Sequence, residues 1–340
     1  MANSQLLLTF AAAAAAGLLS GALTSAIRPL LLRVALAKPN ARSSHRIPTP
    51  QGAGIAVVTA TLVVAAVSIA LIGAGDARIP LAVFGATLFI AAVGFADDVR
   101  SIPVLPRLLL QGVAVAVVVL ATPENLRIVP ACPLWLERTL LLLAGLWFVN
   151  LVNFMDGLDL MTVAEIVPIT GTVVLLGWLG DFPASTTLVA AALFGAMLGF
   201  APFNRPVAKI FLGDVGSLPI GLLVGWCLLQ LAWHQQFAAA LLLPLYYLAD
   251  ATVTLLRRMA RREPFWAAHR SHFYQRATDN GFSVPRVVSE VFALNILLAA
   301  LAVGSVMTSS ATIATVLLVA GGAATALLMW RFSRRQPPPT

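Results

Sequence analysis

Leu140-Leu-Leu-Leu-Ala-Gly-Leu-Trp-Phe-Val149 runs directly into Asn150-Leu-Val-Asn153-Phe-Met-Asp156-Gly157-Leu-Asp159, and Val163 to Leu179 is apolar again. Two amides and two carboxylates therefore stand between two runs suited to crossing a membrane. Ionisable groups at membrane depth are rare and usually functional. Asn and Asp also cap helices in ordinary surface loops, so this stretch alone leaves both readings open. Three similar stretches favour the first reading: Ala96-Asp97-Asp98, Phe211-Leu-Gly213-Asp214-Val-Gly216-Ser217 and His269-Arg270-Ser271-His272.

Outward from these stretches almost the whole length is committed to apolar runs. Of 340 residues, 59% are hydrophobic and 11% charged, with a mean hydropathy of +0.91. A soluble domain carries roughly a quarter charged residues. A spanning helix needs about 20 mainly apolar residues. The sequence predicts an all-α bundle of about eleven spans, near 5–36, 53–73, 80–96, 107–121, 139–152, 163–179, 186–203, 211–231, 237–257, 286–305 and 311–331. Long aperiodic runs fit helices, because lipid offers no partner for strand edges. One membrane-embedded domain over 1–332 is expected, with a short Pro-rich tail over 333–340. No Lys or Arg precedes Arg28, so Leu6 to Ile27 reads as a retained first helix and not as a secretory signal. Cys132 and Cys227 have no metal-ligand spacing, and neither a disulfide nor a zinc site is argued from them.

Charge sets the expected orientation. One set of loops holds Lys38, Arg42, Arg46, Arg100, Arg107, Arg205, Lys209, Arg257, Arg258, Arg261, Arg262, Arg270 and Arg276, with Arg331, Arg334 and Arg335 in the tail. The opposite loops hold only Arg78, Arg127 and Arg138. The positive-inside rule places the first set in the cytoplasm, the N-terminus in the periplasm and the C-terminus in the cytoplasm. The net charge of +8 is then explained by topology and anionic membrane lipids, with no nucleic-acid partner. The unusual polar stretches all fall on the expected cytoplasmic side.

Each stretch has a bland reading beside a chemical one. His45-Arg46-Ile-Pro48-Thr49-Pro50-Gln-Gly52 is a Pro/Gly turn, or a wall for phosphate or nucleotide with His45 and Arg46 as donors. The adjacent carboxylates Asp97 and Asp98 repel one another. They either pair with Arg100 and Arg107, or provide a general base beside metal or phosphate chemistry with Arg107 on phosphate oxygens. Asp214, between two glycines at a helix start, is an N-cap or a ligand for magnesium, which takes one or two protein oxygens and leaves room for water and phosphates. Phe211 is then a stacking platform, or an ordinary core or lipid-facing ring. The stretch from Arg257 to Arg276 mixes basic and aromatic residues, as an interfacial belt does. Its His269, Arg270 and His272 are also donors suited to a pyrophosphate or a sugar. Asp250, inside the ninth span, is either a buried structural carboxylate or an outer partner of the site. Together these groups fit a magnesium-dependent reaction between a nucleotide diphosphate and a lipid phosphate.

The ordered set of motifs resembles the polyprenyl-phosphate N-acetylhexosamine-1-phosphate transferases, a family whose superfamily includes the phospho-N-acetylmuramoyl-pentapeptide transferases. The resemblance covers nearly the whole chain. It rests on His45…Pro48-Thr49-Pro50, Asp97-Asp98, Asn150-x-x-Asn153-x-x-Asp156-Gly157-x-Asp159, Phe211-x-Gly213-Asp214-x-Gly216-Ser217 and His269-Arg270-x-His272. It implies Asp97 as the catalytic base with Asp98 in support, and Asp214 with Asn153 as ligands of Mg2+, for which Mn2+ substitutes. It also implies that Asp159 reads uracil, Phe211 stacks on it and Arg107 contacts phosphate. His269, Arg270 and His272 would contact pyrophosphate and sugar. Asn150, Asp156, His45 and Arg46 complete the expected substrate-binding set. Leu160 stands where the family often has a second Gly, and Ala53 interrupts a common Gly-Gly. The His269 loop lacks the consecutive-His run of the pentapeptide transferases and is similar to the branch that starts O-antigen and related surface polysaccharides.

The reaction implied is transfer of a sugar 1-phosphate from a UDP-N-acetylhexosamine to undecaprenyl phosphate, with release of UMP, at the cytoplasmic face of the bacterial inner membrane. A homodimer is expected by analogy alone. The rival within the superfamily is the pentapeptide transferase. A rival of another class is an ion-coupled secondary transporter, which places its carboxylates near the bilayer midplane at a repeat interface. No repeat is visible here, and most of the carboxylates fall at helix ends.

Overall fold

The computed structural model describes residues 2–37, 48–73, 78–180, 182–264, 269–308 and 310–336. Its helices in chain order are α1 (Ala2–Val34), α2 (Gly54–Ile72), α3 (Arg78–Val99), α4 (Val104–Ala121), α5 (Leu134–Met155), α6 (Met161–Leu179), α7 (Ala184–Phe200), α8 (Asp214–Trp233), α9 (Phe237–Leu242), α10 (Leu245–Ala260), α11 (Phe273–Asp279), α12 (Val284–Met307) and α13 (Ala311–Phe332). Among the described residues ten helices are long and apolar enough to cross a membrane. The ninth expected span is the exception. It breaks into α9 and α10 at Leu243-Pro244, where proline withholds the N–H that a continuous helix needs. The protein is thus an all-α polytopic membrane bundle, with ten unbroken candidate spans and one interrupted stretch among the described residues.

Tight helix contacts are built from small residues, as expected where lipid removes the hydrophobic drive between helices. Gly17 and Gly21 of α1 face Gly195 and Gly199 of α7. A Cβ at Gly195 would lie 1.8 Å from the Ala13 carbonyl oxygen, and one at Gly199 would lie 2.1 Å from that of Gly17. Ser20 Oγ donates to the Ala196 carbonyl across the same seam at 2.8 Å.

Proline inside α6 shows how backbone polarity is repaired in the bundle. Pro168 has no N–H to give the Ala164 carbonyl. Asn295 of α12 supplies the missing donor, with Nδ2 2.9 Å from Ala164 O and 2.7 Å from Glu165 Oε2. The fifth span begins earlier than 139 because Glu137, near its start, is neutralised by Arg127 at 2.7 Å.

At one end of the bundle the Pro-Thr-Pro segment forms a short antiparallel pair, Leu36–Ala37 (β1) with Thr49–Pro50 (β2). It continues onto Phe211, whose N–H donates to Pro50 O at 2.8 Å and whose carbonyl accepts from Gly52 and Ala53. Ala53 has φ −58, a right-handed conformation, so a second glycine is not needed there. His45 and Arg46 lie outside the described residues, as do tail residues 337–340.

Candidate active site

Asp97 closes α3 and Arg107 opens α4, and the short turn between them brings the two together. Arg107 Nη1 lies 2.6 Å from Asp97 Oδ2, and Ile102 N–H donates to Asp97 Oδ1 at 2.5 Å. The Asp214 carboxylate, at the start of α8, lies beside that of Asp97. Asn153, in the last turn of α5, donates from Nδ2 to Asp214 Oδ1 at 2.7 Å and to Ser217 Oγ at 2.9 Å. Four elements thus converge on one pair of carboxylates.

Asp98 points the other way. Its Oδ1 accepts from Asp214 N–H and its Oδ2 from Val215 N–H, both at 3.0 Å. It caps α8 from a neighbouring helix and supplies the acceptor that Gly213, at the N-cap position, lacks. Asn150 is likewise turned inward, with Nδ2 on Gln111 Oε1 of α4 at 2.7 Å.

Close packing of α3 on α8 holds Asp214 in place. A Cβ on Gly94 would lie 2.3 Å from Asp214 O, whereas one on Gly85 of the same helix meets nothing within 4 Å. Misplacing a reacting group by 1 Å costs on the order of 100-fold in rate. Gly94→Ala is therefore expected to reduce turnover by more than about tenfold while Gly85→Ala stays near wild type. Equal activities of the two purified variants would contradict this role for the α3–α8 contact.

The loop after α5 is stitched to the segment before α8. Asp159 Oδ2 accepts from Ala208 N–H at 3.0 Å. Asn204 accepts from Leu160 N–H at 2.7 Å and donates to Ile210 O at 3.0 Å. Leu160 has φ 63, the left-handed conformation for which glycine is suited. Gly157 is required by its neighbour, since a Cβ there would lie 2.1 Å from Tyr274 Oη.

Thr162 donates its hydroxyl to Asp156. Burial, together with the charges of Asp98 and Asp159, pushes the Asp156 carboxyl up to about 7. A carboxyl raised in the folded state supports folding fully below its unfolded pKa, and that support is lost as pH rises through the folded value. Asp156→Asn removes this loss. Its thermal midpoint in detergent is expected to exceed that of wild type by more at about pH 8 than at about pH 5. A constant difference would contradict the raised pKa.

The third wall is the His269 loop. His272 Nδ1 lies 3.1 Å from Asp250 Oδ1 of α10, and the His269 and His272 rings stack with centroids 4.9 Å apart. Burial, then the neighbouring His272 and Arg258, push the His269 imidazole down to about 4, so it is neutral at physiological pH. Arg270 faces Asp279 at 3.2 Å.

A cleft of about 570 Å³ joins these parts, lined by Arg107, Asn150, Asn153, Asp214, His269 and His272 with Trp147, Phe154 and several aliphatic residues. Asp97, Asp98, Asp156, Asp159, Phe211 and Arg270 are not among its lining residues; Asp159 is bonded to Ala208, and Phe211 to Pro50 and Gly52. Trp147 also borders an apolar cavity of about 290 Å³ between α4, α5, α8 and the broken α9–α10 pair. Sequence reasoning missed Asn204, Gln111 and Tyr274, whose partners are distant in the chain.

Among the described residues no three His, Cys, Asp or Glu side chains converge to bind a metal unaided. Two touching carboxylates beside an amide nonetheless fit magnesium, which needs few protein ligands and relieves their repulsion.

These features define a membrane-embedded protein with a carboxylate and amide cleft at one end of its bundle. Residues 80–232 match the sequence model of glycosyl transferase family 4. A probable undecaprenyl-phosphate N-acetylglucosaminyl 1-phosphate transferase of Bacillus subtilis (strain 168) is 25% identical over 302 residues, 84% of this chain and 82% of that protein. A phospho-N-acetylmuramoyl-pentapeptide-transferase of Shouchella clausii (strain KSM-K16) is 41% identical over 87 residues, 26% of each chain. One from Enterococcus faecalis (strain ATCC 700802 / V583) is 32% identical over 108 residues, 32% of this chain and 33% of that one. The chain thus spans between a quarter and a third of these two pentapeptide transferases. The match and these relatives support a place in the superfamily of glycosyl transferase family 4.

Proposed function

We propose that the protein transfers a sugar 1-phosphate, of N-acetylhexosamine type, from a UDP-sugar to undecaprenyl phosphate and releases UMP. The observation that carries this reading is a cleft lined by Arg107, Asn153 and Asp214, with Asp97 bonded to Arg107 beside it, that adjoins an apolar cavity. A polar site next to a hydrocarbon groove suits an acceptor with a phosphate head and a long apolar tail. The alignment, over 84% of this chain, with a protein named for undecaprenyl phosphate supports the same acceptor.

In this reading a lipid phosphate oxygen attacks the sugar-attached phosphorus. The bond from that phosphorus to the bridging oxygen breaks, and UMP leaves. Asp97 takes the proton of the lipid phosphate, and Arg107, already against Asp97, receives the phosphate oxygens. Asp214 and Asn153 would hold Mg2+, or Mn2+ in its place, which neutralises diphosphate charge. Asp98 keeps the start of α8, and so Asp214, in register. Asp159 and Phe211 form the uracil side, His45 and Arg46 approach the phosphates, and Arg270, His269 and His272 meet the pyrophosphate and sugar. The asymmetry of Lys and Arg supports a cytoplasmic face for this chemistry, in a bacterial inner membrane on this reading.

A donor labelled with radioactive phosphorus at its sugar-attached phosphate tests the bond that breaks. The label is expected in the lipid extract, and only when undecaprenyl phosphate is present. Label that stays in UDP or elsewhere in the aqueous phase with every donor contradicts the reading. The second reading is pentapeptide transfer, favoured by the local matches at 41% and 32% identity. Lipid labelling from UDP-muramoyl-pentapeptide and not from UDP-N-acetylhexosamines would establish it instead.

A further inference from the structure

Behind the cleft lies a carboxylate to which this mechanism gives no part. Asp250, fully buried on α10, accepts from Phe273 N–H at 3.0 Å, Tyr274 N–H at 3.1 Å, Tyr246 Oη at 3.3 Å and Thr254 Oγ1 at 3.2 Å. Its fifth partner is His272 Nδ1 at 3.1 Å. Four donors on one carboxyl are what an ionised group attracts, and an ionised carboxylate has no proton to give. The ring nitrogen facing it must therefore carry one. Nδ1–H is held toward Asp250, which leaves Nε2 as the ring nitrogen for the cleft that His272 lines.

We propose that Asp250 is a positioning residue for His272, fixing its ring so that Nε2 meets the diphosphate of the sugar donor. This rests on the UDP-sugar reading above. The carboxylate behind the ring fixes Nδ1 and leaves Nε2 for the cleft that His272 lines. The other titratable or charged groups around it are His269 in its own loop, Tyr274 on α11, and Arg107 and Asp214 across the cleft. The backbone bonds to Phe273 and Tyr274 use the same carboxylate to hold the start of α11, so loop and ring are oriented by one group.

The test is a double-mutant cycle on kcat/KM for the UDP-sugar, with wild type, Asp250→Asn, His272→Gln and the double variant. Each single change is expected to cost about tenfold or more, with the double variant no worse than His272→Gln. Losses that multiply would overturn the role, because a purely structural Asp250 would act independently of the ring. Should Asp250→Asn not fold, isotope-labelled histidine in the wild type decides. The chain has four histidines, so His272 is assigned by the signal lost in His272→Gln. A hydrogen-bonded Nδ1–H on that ring is expected, and a ring protonated only at Nε2 overturns the proposal. A wild-type protein that releases no UMP from any UDP-sugar would overturn the donor reading itself, and this inference with it. UMP release with multiplying losses would overturn only the part given to Asp250.

Discussion

Asp214→Asn is expected to lower UMP release by more than about 100-fold while the protein still inserts and unfolds at a similar temperature. Changing a group that merely supports a metal ligand costs about 10- to 100-fold, so losing the ligand itself should cost more. The substitution keeps shape and an acceptor oxygen. Asn153 can still donate to it, and the cap of α8 by Asp98 runs through backbone N–H groups that remain. What is lost is the charge that would hold Mg2+ against the diphosphate. Release rates with rising Mg2+ check this. Near-normal turnover would remove Asp214 from the metal site, and recovery at high Mg2+ would make it a ligand whose loss weakens the metal without abolishing the site.

Asp97→Asn should reduce transfer by about 100- to 10,000-fold, the range for a positioned acid or base. UDP-sugar binding should persist. The amide oxygen can accept from Ile102 N–H or from Arg107, so the turn between α3 and α4 keeps its shape. Only the capacity to take a proton disappears. Binding of UDP-sugar measured by calorimetry separates the two effects. Loss of binding together with loss of turnover would mean that Asp97 holds the donor and does not act as the base.

Much of the fold was legible because lipid imposes long apolar runs and the Lys and Arg residues mark their ends. The break in the ninth span had a visible cause, Pro244, but hydropathy continues across it and masks the interruption. The start of the fifth span was hidden by Glu137 and Arg138, because the neutralising Arg127 comes from the preceding loop. Helix α11 was hidden for a similar reason. Its seven residues are held at the start by Asp250, more than twenty residues upstream, and no local signal announces that cap.

In the site, the motifs pointed to Asp97, Asn153, Asp214 and the His269 loop, and these do come together. The resemblance gave Asp97 the lead and Asp98 a supporting part, but what that support consists of was not legible. It depends on the side of α3 against which α8 packs, and that turns Asp98 onto backbone amides. Leu160 shows the opposite case. The Gly it replaces marked a left-handed position, and the chain keeps that conformation at φ 63 despite the side chain.

The most direct measurement of the central claim is UMP release by the purified protein in detergent, with undecaprenyl phosphate, Mg2+ and a panel of UDP-sugars, each repeated with EDTA and without lipid. The account predicts release from an N-acetylhexosamine donor that requires both lipid and metal. Release that persists without lipid or in EDTA, or none from any donor by folded protein, would contradict it.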